Sequence, residues 1–262
     1  MTIKELLGDE NERPLDNIIT DGGYVGIFRT IACVGDSLAS GEFQVKDFEG
    51  NNIYLDRFEY SWGQYLGRMA GSNVYNFSKG GMTAREYRQN FANKMGYWQR
   101  DLAANAYIIA LGINDIFNQK HDVGDFGDIC YEDYNKNADT FIGNYAYIIQ
   151  RYKQIQPEAK FFLVGVPDSG RNTEAMEAHE YAVRGLSERF DRTYYLDLKK
   201  YCIPYVGDFR SKFFLNGHMT PTGYIFSAKI IGSYIDYIIR HNMEDFKDVG
   251  LMGYDYDRSS LN

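Results

Sequence analysis

Short apolar runs alternate along the chain with longer stretches whose apolar residues recur every three or four positions. Residues 30–34 (TIACV) form one such run, which breaks abruptly into Gly35-Asp36-Ser37. A short apolar run closed by glycine predicts a buried strand emptying into a turn. The same pattern returns at 73–77 (NVYNF), 106–111 (AYIIAL), 160–166 (KFFLVGV) and 193–198. Helical spacing fills the intervals. It covers 60–70, with Trp62, Tyr65, Leu66 and Met69 on one side, and 83–102, where Thr83 and Glu86 offer a capping box. It continues at 131–155, closed by Pro157, then at 173–190 and 221–241. Segment 42–56 is polar and reads as a loop or small excursion, 201–217 as irregular, and 242–262 as a packed arm or frayed end.

Strands alternating with helices predict a three-layer α/β/α sandwich around a central, mostly parallel, five-stranded sheet. With no internal repeat or low-complexity linker, the chain reads as one domain over 1–262. Its core spans about 28–242, between a polar N-terminal segment 1–23 and a tail 243–262. A chain of 262 residues that is 44% hydrophobic can bury a sizeable core unaided. The net charge of −8 leaves no basic footprint, so neither nucleic acid nor an anionic membrane is an expected partner. Tyr (23) and Phe (17) are abundant, and most should be core or half-buried surface, with some available to line a sugar or acyl site. Cys33, Cys130 and Cys202 are too few and too scattered for a disulfide framework or a zinc pattern, and read as reduced thiols. Segment 1–23 lacks an apolar core of the signal-peptide kind, and no run is long enough to span a bilayer, so a cytoplasmic location is expected.

Each polar cluster follows a predicted strand, at the carboxyl edge where open α/β sheets place their chemistry. In chain order these are Ser37, Gly80-Gly81 and Asn114-Asp115; His218 stands just before the last helix. Taken alone, Ser37 reads equally as a helix cap or a nucleophile. Acyl transfer needs a nucleophile, a base beside it and donors aimed at a developing oxyanion, and these residues supply those parts. Asp36 and Asp115 are expected to hold turns by accepting backbone N–H bonds. His121 and His179 stand in polar surroundings and read as surface residues, and His241 as a partner of the last helix's terminal carbonyls. No histidine pair has metal-ligand spacing with carboxylates, so neither metal nor cofactor is expected. Asp168, Ser169 and Arg171 form either an ordinary loop or a leaving-group contact. Segment 42–56, with Phe43, Phe48 and Tyr54, is either one wall of the pocket facing a sugar or an insertion with an apolar underside.

Gly35-Asp36-Ser37-Leu38 resembles the first block of the GDSL, or SGNH, hydrolases. Asn76-Phe77-Ser78-Lys79-Gly80-Gly81 resembles the second block, Gly112-Ile113-Asn114-Asp115 the third, and Gly217-His218 with Gly223-Tyr224 the fifth. The order is the family's, from residue 30 to about 224. The Asn76-Phe77-Ser78 glycosylation sequon falls inside the second block. The resemblance implies an SGNH hydrolase-like, flavodoxin-like fold and a serine esterase or acylhydrolase. It assigns Ser37 as nucleophile and His218 as general base, with the Ser37 N–H, the Gly81 N–H and the Asn114 amide as oxyanion hole. The implied substrate is a small acyl ester, with an acetylated sugar as the expected case. A thioesterase or lysophospholipase-like activity would use the same machinery, and a catalytically impaired ligand-binding module on the same fold is the alternative from another class. The histidine block departs from the pattern: the family usually places an Asp three residues before the histidine, and here that position is Leu215. Three readings are open. Asp208 folds back as a displaced acid; Asn216 or a backbone carbonyl holds His218 in a dyad; or the enzyme is impaired.

Overall fold

The computed structural model describes residues 3, 7–9, 11–170, 172–257 and 259. The first strand, β1 (Thr30–Gly35), runs into a single helical turn, α1 (Ser37–Ser40), and then into a hairpin of β2 (Glu42–Lys46) and β3 (Asn52–Asp56). Next come α2 (Trp62–Ala70), β4 (Asn73–Ser78), a helical stretch over 84–94 and β5 (Ala106–Ala110). The second half holds α3 (Phe141–Ile155), β6 (Lys160–Val164), α4 (Thr173–Ser187), β7 (Thr193–Leu196) and α5 (Gly207–Phe213). The two-residue strands β8 (Phe214–Leu215) and β9 (His218–Met219) and the long helix α6 (Pro221–His241) complete it.

Five strands form one parallel sheet in the order β4-β1-β5-β6-β7, a doubly wound arrangement whose order reverses at β1. β1 is buried on both faces, as a central parallel strand must be. Ile31 and Cys33 pack with Leu66 of α2 and Ile231, Ile235 and Ile239 of α6. Ala32 and Val34 face the opposite layer, with Ile142, Tyr145 and Ile149 of α3 and Val183 and Leu186 of α4. Gly35 stands in register with Ser78 on one side and Ala110 on the other, so the turns after β1, β4 and β5 emerge at one edge.

Several segments differ from the sequence expectation for local reasons. Segment 42–56 is a regular antiparallel hairpin, turned by Asp47, whose carboxylate accepts from the Glu49 and Asn51 N–H groups. The helix expected from 131 begins only at Phe141, where the Thr140 hydroxyl caps it by accepting from Gly143 N–H. The helix expected over 83–102 is capped by Thr83, but passes through a π turn at Tyr87–Phe91. Region 201–217 is ordered as α5 and β8. The tail folds back far enough for Phe246 and Val249 to be buried, with Phe246 against Phe28 and Phe162.

Candidate active site

The turn after β1 is built by Asp36. Its carboxylate caps α1 by accepting from Leu38 N–H at 3.0 Å, which fixes Ser37 as the first residue of the helix. The Ser37 N–H therefore has no intrahelical acceptor. Among the described residues the Ser37 hydroxyl makes no hydrogen bond. Gly81 follows β4 with φ +73°, and its N–H likewise takes no acceptor among the described residues. Asn114 sits on the π turn after β5, introduced by Gly112 at φ +120°. Its side chain is engaged at both ends: Nδ2 donates to Met82 O at 3.1 Å and, more weakly, to Asp36 Oδ2 at 3.4 Å, while Oδ1 accepts from Asn118 at 2.8 Å.

His218 lies opposite Leu215 in the β8–β9 ladder, joined through a tight turn in which Asn216 has φ +56°. Its Nε2 is 3.0 Å from Glu42 Oε1, and Nδ1 is buried with no partner among the described residues. The Tyr54 ring stands edge-on to the imidazole at 6.0 Å between centroids. None of the side chains expected from the sequence to hold His218 is brought to it. Asp208 has a side chain 94% exposed and faces Lys212 at 3.6 Å. The Asn216 amide donates to Gln44 O at 3.0 Å instead of holding the ring, and the Leu215 side chain can accept nothing. The carboxylate beside the imidazole comes from β2, in the segment that reads as an excursion. The signal that could have found it is the alternation Glu42-Phe43-Gln44-Val45-Lys46 before an Asp47…Gly50-Asn51 turn, which is a hairpin pattern.

Charge is concentrated around this edge. Burial pushes the Asp36 carboxyl up to about 7, opposed by the Leu38 N–H, reinforced by Asp115 and Glu42, and opposed again by His218. Asp115 is also raised by burial; it accepts from Ala84 N–H at 3.0 Å and lies 3.5 Å from His121 Nδ1. His121 is thus half-sheltered against Asp115, not a free surface residue. His179 is a core residue and not a surface one: it is 1% exposed, its Nε2–H donates to Leu111 O at 3.0 Å, and burial pushes it down to about 4. His241 does meet a terminal carbonyl, Tyr237 O, at 2.9 Å from Nδ1.

Ser37, Gly81, Asn114 and His218 line one cavity of about 590 Å³. Tyr54, Phe117, Tyr205 and Phe214 add aromatic walls, Arg210 adds a cation, and Ser169 contributes a buried hydroxyl with no partner among the described residues. Asp168 turns away to accept from Gly170 N–H, and Arg171 lies outside the described residues. Phe43 packs on Tyr60 and Tyr224, whereas Phe48 is fully exposed at the hairpin tip. Among the described residues no group of three or more His, Cys, Asp or Glu side chains could hold a metal ion, and all three cysteines are free.

No curated protein matches the sequence. Among solved structures, a carbohydrate acetylesterase from Sinorhizobium meliloti is similar at 16% identity, over 81% of this chain and 99% of that one, with a TM-score of 0.53. A family two carbohydrate esterase from Clostridium thermocellum, in complex with cellohexaose, is similar at 13% identity, over 83% of this chain and 65% of that one, with a TM-score of 0.54. A possible lipase from Chitinophaga pinensis is similar at 18% identity, over 81% and 98%, with a TM-score of 0.52. At these identities the likeness is one of fold. The family model for the GDSL-like lipase/acylhydrolases matches residues 33–225, from within β1 to the start of α6. The chain belongs to the GDSL-like lipase/acylhydrolase family, a family of serine ester hydrolases.

Proposed function

We propose that the protein hydrolyses a small acyl ester, an acetyl group on a carbohydrate, with Ser37 as nucleophile and His218 as base. The observation that carries this reading is that Ser37, Gly81, Asn114 and His218, from four separate segments, line one cavity at the carboxyl edge of the sheet. Ser37 Oγ attacks the acyl carbon while the imidazole takes its proton. The negative oxygen that forms needs donors fixed in advance. The Ser37 and Gly81 N–H groups have no competing acceptor among the described residues, and the 3.4 Å bond from Asn114 to Asp36 is the weaker of the two its amide donates. Loss of the alcohol leaves an acyl-enzyme, which water clears by the same route. Four aromatic walls and a volume of about 590 Å³ suit one or two sugar rings, which present apolar faces to aromatic side chains. The names of two structural neighbours, both carbohydrate esterases, agree with that substrate class.

Acetate release from acetylated oligosaccharides, compared with p-nitrophenyl esters of increasing acyl length, tests the proposal. Wild type should prefer acetyl, and Ser37→Ala should lose at least about 10³-fold in kcat. Undiminished turnover by Ser37→Ala would overturn the nucleophile assignment, and a preference for long acyl chains would overturn the acetyl assignment.

A further inference from the structure

The loop that carries His218 lacks an acid. Leu215 occupies the position from which one would come, and Asp208 faces solvent. Strand β2 reaches the same loop from the other side and grips it at three consecutive residues. Gln44 O accepts from the Asn216 amide at 3.0 Å, Gln44 Oε1 accepts from Gly217 N–H at 2.9 Å, and Glu42 Oε1 meets His218 Nε2 at 3.0 Å. Glu42 is itself held in place: the buried Tyr224 hydroxyl donates to its carbonyl at 2.7 Å, and its carboxylate lies so close to Gly80 that a Cβ there would stand 2.0 Å from Oε2. The Glu42 side chain is only 11% exposed. A sheltered carboxylate fixed at hydrogen-bond distance from a catalytic imidazole sets which ring nitrogen bears the proton.

We infer that Glu42 is the positioning residue for His218, supplying from the hairpin the carboxylate that the histidine loop lacks. The inference rests on the proposed roles of Ser37 and His218. With Glu42 accepting from Nε2–H, the lone pair is on Nδ1, which has no other partner among the described residues. Ser37 and His218 share no hydrogen bond in the structure, so the step requires the two to close up when substrate enters. As the Ser37 Oγ–acyl bond forms, the Ser37 proton passes to Nδ1, and the imidazolium keeps its Nε2 proton on Glu42. As the bond from the acyl carbon to the alcohol oxygen breaks, that oxygen takes the proton from Nδ1. In deacylation, water delivers a proton to Nδ1 and its oxygen to the acyl carbon, and Ser37 Oγ recovers that proton from Nδ1 as the acid leaves. Glu42 gives up no atom in the cycle. It orients the ring and stabilises its charged form.

Labelling of Ser37 by a fluorophosphonate reads nucleophile and base without a guess at the substrate, so it is measured beside ester turnover. If wild type is not labelled at Ser37, the esterase reading itself fails. If wild type is labelled, Glu42→Gln should label and turn over about 10²–10⁴-fold more slowly, with KM within about threefold. Glu42→Ala should regain at least about tenfold on addition of sodium formate and nothing on addition of sodium chloride, because a free carboxylate can occupy the vacated place beside the ring. A purely structural role for Glu42 would not respond to formate. Three results overturn the inference while leaving Ser37 and His218 intact: Glu42→Gln at the wild-type rate; Glu42→Gln faster than wild type, which would make Glu42 a competitor for the imidazole; or slow variants that formate does not help.

Discussion

Asp36, adjacent to the proposed nucleophile Ser37, is an acid that retains its proton close to neutrality because burial pushes it up to about 7. A carboxyl that binds a proton more tightly in the folded chain than in the unfolded one stabilises the fold fully below its unfolded value, near 3.8. That contribution is lost as the pH rises through about 7. His179 has the opposite sign. Its stabilising contribution is complete above about 6.5 and is lost as the pH falls through about 4. The two slopes oppose each other between about 4 and 6.5, so their joint contribution to stability should be flat there. Asp36→Asn keeps a capping oxygen but removes the titration. In urea melts it should gain on wild type by about 3 kcal/mol between pH 5 and pH 8, and a constant difference would show that Asp36 does not titrate in this window. Ser37, Gly81 and Asn114 are legible in the sequence because each stands in a short block after a sheet strand, and His218 because it stands just before the last helix. His179 reads as a surface residue from its polar neighbours Glu177 and Glu180, although helical spacing sets it with the buried Ala175, Ala182 and Leu186.

At the scale of elements, the site depends on how each strand ends. Gly112 turns the chain from β5 into the segment bearing Asn114, at a φ of +120° that side chains rarely adopt. A Cβ there would stand 2.6 Å from the His179 ring and 2.9 Å from Phe141. Gly112→Ala should therefore cost about 2–4 kcal/mol from strain and overpacking, and should lower kcat more than it raises KM because Asn114 is displaced. A thermal melt with steady-state kinetics checks both, and an unshifted melt would remove the steric argument. The five sheet strands and the long helices follow from apolar period, since burial on one face or two dictates it. Hairpin β2–β3 is harder to read because only β2 alternates: every residue of β3 is exposed, and its Ile53-Tyr54-Leu55 run has no period of two.

Across the whole molecule, α6 joins the two ends of the architecture. It starts at Pro221, shortly after His218 at the cavity, and runs 21 residues, about 30 Å, away from it. There Arg240 bridges Glu12 at 2.6 and 2.7 Å and Asp236 at 2.7 Å, all three side chains almost wholly buried. The N-terminal segment, polar in the sequence, is thus tied to the last helix by buried charge, with Leu15 and Ile19 adding apolar contact. Arg240→Ala strands two buried carboxylates, and removing one partner from such a group typically costs about 3–5 kcal/mol. The melting temperature should fall by several degrees while kcat of the folded enzyme at 25 °C stays within about twofold, since the lesion lies a helix length from the cavity. A large fall in kcat would instead mean that the far end of α6 reports to the site. Among the described residues no helix is long and apolar enough to cross a membrane.

Leu215 has a consequence for heredity. With the carboxylate supplied by Glu42, five residues beyond the proposed nucleophile, the acid travels with the 37–42 stretch and must stay matched to His218 near the other end of the chain. Position 215 then has only to pair across the β8–β9 ladder, where Leu215 stands opposite His218. Selection would see residues 42 and 218 as one matched pair drawn from distant parts of the chain, and position 215 as released from any chemical duty.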